Sequence, residues 1–207
     1  MHLVLTTAGG GELWVGSIQA AGDVDFLRKN GISALVACAS NVPVARSAGL
    51  KHLGTYDGTG AVTGDVKWFR LLALMDMVGQ ELRAAGRVLF SCRNGAHRSA
   101  TMVALVLCFL TGEPPAVVMA HVARIREMCD FDSLRPDRRN FNRPIVTPAQ
   151  WLETKEKDLR AAHDALEPGE KCMLNMVMTP DEFERFALAN GASIPDRGSL
   201  CQTFSFE

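Results

Sequence analysis

Six cysteines are spread along the 207 residues, and one of them has neighbours suited to making it reactive. Cys92 follows Val88-Leu89-Phe90-Ser91, precedes Arg93-Asn94-Gly95-Ala96-His97-Arg98, and is separated by that loop from an apolar stretch opening at Ser99. A thiol attacks as the thiolate, and a helix N-terminus or a nearby cation lowers its pKa below the roughly 8.5 of the free group. A strand, a short loop and a helix in succession bring the loop's backbone N–H groups and the helix N-terminus to one point, which is an anion site. Arg98, at the first turn of that helix, can fold back and grip two phosphate oxygens with its planar fork. Gly95 supplies the positive φ or close approach that such a loop needs. Ser99 can cap the helix or donate to the sulfur.

The other cysteines (38, 108, 129, 172 and 201) lie far apart without a Cys-x-x-Cys pair, and no Cys/His spacing matches a zinc site. Cys108 sits among Val, Leu and Phe and reads as core. Cys38 closes a buried run. It is either a small buried apolar residue or a partner that forms a reversible disulfide with an oxidised Cys92.

The elements that would hold Cys92 alternate. Leu3–Thr6 and Leu13–Gly16 read as strands, Asp23–Lys29 as a short helix, and the apolar run Ile32–Ala39 as a parallel strand covered on both faces. His52–Tyr56 is a further strand. Asp57-Gly58-Thr59-Gly60 is a turn-rich loop, and Asp65 stands where a cap should be, before a helix from Val66 to about Ala85. Arg87–Ser91 is the strand before Cys92, and Ser99–Leu110 is a helix apolar all round, which belongs inside a domain. A helix from Ala116 to about Met128 follows Pro114-Pro115. The pattern predicts an α/β domain with a mainly parallel central sheet flanked by helices.

This Cys-x5-Arg-Ser loop resembles the signature of the cysteine-based protein tyrosine phosphatase superfamily. Leu13-Trp14-Val15-Gly16-Ser17, Ala20-Ala21, Leu27-Arg28-Lys29-Asn30-Gly31-Ile32, Tyr56-Asp57, Arg87-Val88-Leu89-Phe90 and Ser99-Ala100-Thr101 are similar to its dual-specificity type, in order, across about residues 11–143. The resemblance implies phosphoryl transfer in two steps without metal or cofactor. Cys92 would attack phosphorus while Arg98 and the loop from Arg93 through Asn94, Gly95, Ala96 and His97 hold the phosphate. A carboxylic acid would protonate the leaving oxygen and later activate water. That acid comes, in the family, from a separate loop upstream. Asp57, 35 residues before Cys92, fits the family spacing better than Asp65, 27 before, whose simpler role is a helix cap. The simpler role for Asp57 is an Asp-Gly turn.

Two departures from the family pattern stand out. Ser91 replaces the usual His before the cysteine, and Arg93 and His97 occupy loop positions that usually hold small residues. Basic side chains there could recruit further phosphates, as in phosphatases of inositol lipids; the plainer reading leaves Arg93 in solvent. The expected activity is therefore hydrolysis of phosphotyrosine and phosphoserine/threonine in a phosphorylated protein. A phosphoinositide or other polyanion phosphatase and a catalytically weak phospho-binding module are the alternatives.

Hydrophobic residues make up 47% of the chain and charged residues 22%, enough for a core, which excludes disorder. The longest apolar run, Met102–Leu110, is far short of the roughly 20 residues of a spanning helix, and Met1–Thr7 carries no basic leader. A cytoplasmic protein with no stable membrane anchor is expected. The net charge of −1 combines a basic body, residues 1–143, with an acidic extension, residues 144–207. No Lys/Arg stripe with interleaved aromatics supports nucleic-acid binding. Arg124, Arg126, Arg135, Arg138, Arg139 and Arg143 would form a basic rim or pair with the acidic extension. That extension is expected to be mainly helical (Pro148–Leu166 and Pro180–Asn190), with Trp151, Leu152, Phe183 and Phe186 available to dock on the body. The sequence does not specify the oligomeric state.

Overall fold

Strand β5 (Arg87–Cys92) occupies the middle of the sheet, where its mostly apolar residues are covered on both sides, and it ends on Cys92. The structure is a computed structural model that describes residues 1–42, 49–132 and 146–172. Around β5 lie β1 (His2–Thr6), β2 (Glu12–Ser17), β3 (Ala34–Ala37) and β4 (Lys51–Thr55), in the order β1-β2-β5-β3-β4. β1 pairs antiparallel with β2, and the remaining pairs are parallel. The register sets Ser17 opposite Cys92 and Ala37 opposite Ser91, so the carboxyl ends of β2, β5 and β3 meet at one edge. Ligands gather at that edge in open parallel sheets.

Helices cover both faces. On one side α1 (Ile18–Gly22) and α2 (Val24–Lys29) bring Ala21 and Leu27 against Leu35, Ala37 and Leu89. On the other, α4 (Trp68–Arg83) and α5 (Arg98–Thr111) pack over Val88, Phe90 and Cys92, and α6 (Pro115–Ile125) packs on α5 and β1. α5 is buried from Ser99 to Leu110, as its lack of a polar face requires. A fully buried Leu or Phe side chain contributes about 1.5–3 kcal/mol relative to an exposed one, so this helix anchors the half of the molecule that carries Cys92.

Several boundaries differ from the sequence reading. The strand expected over Ile32–Ala39 pairs only over Ala34–Ala37. The expected loop at Asp57–Gly60 is instead the start of a short helix, α3 (Gly58–Thr63), capped by Asp57, whose Oδ1 accepts from Thr59 N at 3.0 Å. Asp65 is not a helix cap: α4 begins at Trp68 behind Lys67, and Asp65 Oδ2 accepts from Thr63 Oγ1 at 2.8 Å. Ser99 does not cap α5 either, because the helix already begins at Arg98.

α7 (Pro148–Asp164) opens with a capping box between Thr147 and Gln150 and lays Trp151, Leu152 and Leu159 into the same core as α5. Its acidic composition belongs to its solvent face. The expected helix at Pro180–Asn190, with Phe183 and Phe186, lies outside the described residues, as do Arg135, Arg138, Arg139 and Arg143. Among the described residues no helix is long and apolar enough to cross a membrane.

Candidate active site

Cys92 is the last residue of β5 and is 3% exposed. Its Sγ lies 3.2 Å from Ser99 Oγ, and Gly95 N donates to it at 3.3 Å. Burial alone would raise this thiol. The Ser99 hydroxyl and the backbone amides of Ser99, Gly95 and Asn94 outweigh burial and hold the Cys92 thiol below its ordinary value. The loop can curl round the sulfur because Gly95 has φ +71° and no Cβ. A methyl group there would sit 2.6 Å from the Gly16 carbonyl carbon.

Arg98, the first residue of α5, places Nη1 3.9 Å from Asp57 Oδ1. The pair is partly exposed and at the outer limit of an ion pair, so it contributes little to stability and both groups remain available to a ligand. Asp57 is brought there by close packing: a Cβ on Gly58 would lie 2.5 Å from the Arg98 carbonyl oxygen, so α3 rests on the backbone of the first turn of α5. Of the two candidate acids, Asp57 is the one paired with Arg98.

The remaining loop residues take different positions. Arg93 and Asn94 are exposed, Gly95 and Ala96 are buried, and His97 is half-buried with Nδ1 3.2 Å from the Asp130 carbonyl. Ser91 is fully buried and donates from Oγ to the Ser17 carbonyl at 2.9 Å, tying β5 to the end of β2. Cys38 follows β3 and is fully buried. Burial first, then the Cys92 charge, pushes its thiol well up. That favours the reading of Cys38 as a small apolar residue.

Arg126 departs from expectation. The sequence placed it in a basic rim or in pairs with the acidic extension, yet it is 7% exposed and its fork grips the back of the loop. Nε donates to the Gly95 carbonyl at 2.7 Å and Nη2 to that of Asn94 at 2.9 Å. A charged residue directly after the apolar run of α6 was the available signal. Its partners are backbone atoms 31 and 32 residues away, which leave no mark in a sequence.

A buried thiol held below its ordinary pKa thus lies at the carboxyl edge of a parallel sheet, within hydrogen-bond reach of a hydroxyl and a backbone amide, on a loop that leads into the Arg98–Asp57 pair. The mixed α/β fold is similar to that of solved dual specificity phosphatase structures. A mouse dual specificity phosphatase crystallised with zinc tungstate is similar with a TM-score of 0.57 and 22% identity over 72% of this chain and 84% of that one. Human DUSP28 gives 0.53 and 20%, over 77% and 97%. The human tyrosine phosphatase-like serine/threonine/tyrosine-interacting protein gives 0.53 and 16%, over 74% and 93%. No family model matches the sequence. No curated protein matches it either.

Proposed function

We propose that the protein hydrolyses phosphomonoesters through a phosphocysteine at Cys92, and that its substrate is a protein bearing phosphotyrosine or phosphoserine/threonine. The observation that carries this reading is the convergence on one sulfur of Ser99 Oγ and the Gly95 amide, on a loop whose last residue, Arg98, pairs with Asp57. In the first step Cys92 Sγ attacks phosphorus in line. The S–P bond forms as the P–O bond to the leaving group breaks, and Asp57 gives its proton to the departing oxygen. Arg98 and the loop amides hold the three equatorial oxygens, replacing water with fixed donors. In the second step a water, deprotonated by Asp57, attacks phosphorus. The thiolate leaves towards the Ser99 hydroxyl, and inorganic phosphate is released.

Wild type and Cys92→Ser compared on para-nitrophenyl phosphate from about pH 5 to about pH 8 test this directly. Turnover lost in the variant supports the reading, and equal turnover in both defeats it.

A second reading, favoured by the exposed Arg93 at the rim of the loop, is hydrolysis of a polyanion such as a phosphoinositide. Phosphopeptides and inositol phospholipids assayed side by side separate the two. Under the polyanion reading Arg93→Ala raises KM for the lipid while leaving para-nitrophenyl phosphate hydrolysis as it was. Binding of phosphoproteins without turnover would favour a binding module instead.

A further inference from the structure

The loop around Cys92 turns five successive carbonyls outward, and each meets a donor. Ile18 N reaches the Arg93 oxygen at 3.3 Å, and Asp130 N reaches that of Ala96 at 3.1 Å. Thr101 takes the His97 oxygen through both N and Oγ1, at 2.8 and 2.9 Å. The two oxygens between these, of Asn94 and Gly95, are both held by Arg126. In a trans peptide plane the C=O and the following N–H point in opposite directions. The peptide that offers its carbonyl to Arg126 Nη2 is therefore the one whose other end, Gly95 N–H, donates to Cys92 Sγ. Removing the fork takes away the donor that fixes the Asn94 carbonyl, which frees that plane to rotate and lose its bond to sulfur.

Arg126 also reaches further. Its remaining nitrogen, Nη1, lies 2.7 Å from His2 Nδ1. One guanidinium thus joins the end of α6, strand β1 and the loop, using three nitrogens in three directions.

We propose that Arg126 is a positioning residue for the Cys92 nucleophile: it holds the 94–95 peptide with its N–H aimed at the sulfur, and through His2 it ties β1 to the loop. It touches no reacting atom and acts through the peptide it orients. Lysine keeps the charge but offers a point donor in place of a fork, so it cannot hold both carbonyls and His2 together.

The part of the proposal concerning turnover rests on the phosphatase reading, whereas the part concerning the thiol does not. The test is the rate of Cys92 alkylation by iodoacetamide against pH, without substrate, in wild type, Arg126→Lys and His2→Ala, each with its thermal midpoint. The expected result for Arg126→Lys is an alkylation midpoint raised by about one pH unit. Turnover of para-nitrophenyl phosphate should fall by about tenfold or more, mainly in kcat. His2→Ala should shift the alkylation midpoint in the same direction by less. An Arg126→Lys protein that melts with wild type and has a superimposable alkylation profile overturns the proposal. If Arg126→Lys does not fold, the exposed His2 carries the test, and an unshifted profile in a folded His2→Ala overturns the proposal. A wild type that alkylates readily yet turns over no phosphate ester defeats the phosphatase reading alone.

Discussion

Opposing influences on one sulfur decide what this site can do. Burial raises the Cys92 thiol, and the Ser99 hydroxyl, followed by the nearby backbone amides, more than reverses it. Ser99→Ala removes the largest of the lowering contributions. Its alkylation midpoint should rise by about one pH unit, and kcat should fall by about tenfold or more, because the departing thiolate loses its donor in the second step. An unchanged midpoint in Ser99→Ala would show that the amides alone set the thiol. The other described cysteines should stay inert near neutral pH: burial pushes Cys108 up to about 12 and Cys129 up to about 11. Cys92, Arg98 and Gly95 stood out in the sequence because their types and spacing suit the proposed chemistry. Arg126 did not, since its meaning lies in carbonyls that every residue possesses.

Helix α5 connects this chemistry to the rest of the core. Its first turn holds Arg98 and Ser99, and its far end is closed by Gly112 at φ +71°, against which the His163 ring of α7 packs while its Nδ1 lies 2.8 Å from the Phe109 carbonyl. Gly112→Ala must adopt a left-handed conformation and crowd His163, at a cost of about 1–3 kcal/mol measured by denaturant unfolding. Because the change is at the opposite end of the helix, Cys92 alkylation should not move. Gly58→Ala offers the converse case. Its methyl group would meet the Arg98 carbonyl, so α3 must shift and carry Asp57 away from Arg98. The expected result is kcat lowered by about a hundredfold alongside a loss of stability from the clash with backbone, and an unaltered kcat would argue against Asp57 as the acid. The sequence read α3 as a loop for a sound reason: Gly58 and Gly60 are poor helix formers, and the helix persists through the Asp57 cap and its seat on α5.

Across the molecule, charge proved a poorer guide than apolar spacing. The acidic balance beyond residue 143 set α7 apart in the sequence, yet Trp151, Leu152 and Leu159 lie in the core with α5. Leu152→Ala should cost about 2–5 kcal/mol on unfolding, a loss no detachable appendage would show. The mainly parallel sheet was foreseeable from alternation of strands and helices, whereas the order β1-β2-β5-β3-β4 depends on pairings that leave no local mark. The pH dependence of stability also belongs to the whole fold. Burial, foremost, lowers the pKa of His121, whose Nε2 lies 2.8 Å from the Val4 carbonyl, and the pKa of His2 is lowered by burial and by Arg126. Folding therefore favours the neutral rings. Stability should be intact above the ordinary histidine value of 6.5 and should be lost as pH falls from there through the lower folded-state values. His121→Gln, which can still donate to Val4, should flatten that loss in denaturant titrations at successive pH values. An identical acid slope would exclude His121 as a source.

The central claim is a covalent phosphate on one sulfur, and trapping it is the most direct measurement. The protein is quenched in acid during turnover of a phosphate ester, digested, and mapped by mass spectrometry. The prediction is a phosphorylated peptide containing Cys92 in wild type, enriched in Asp57→Asn if loss of the base slows hydrolysis of the intermediate more than its formation, and absent from Cys92→Ser. Sustained turnover by wild type with no phosphate on Cys92, or turnover that survives in Cys92→Ser, would contradict it.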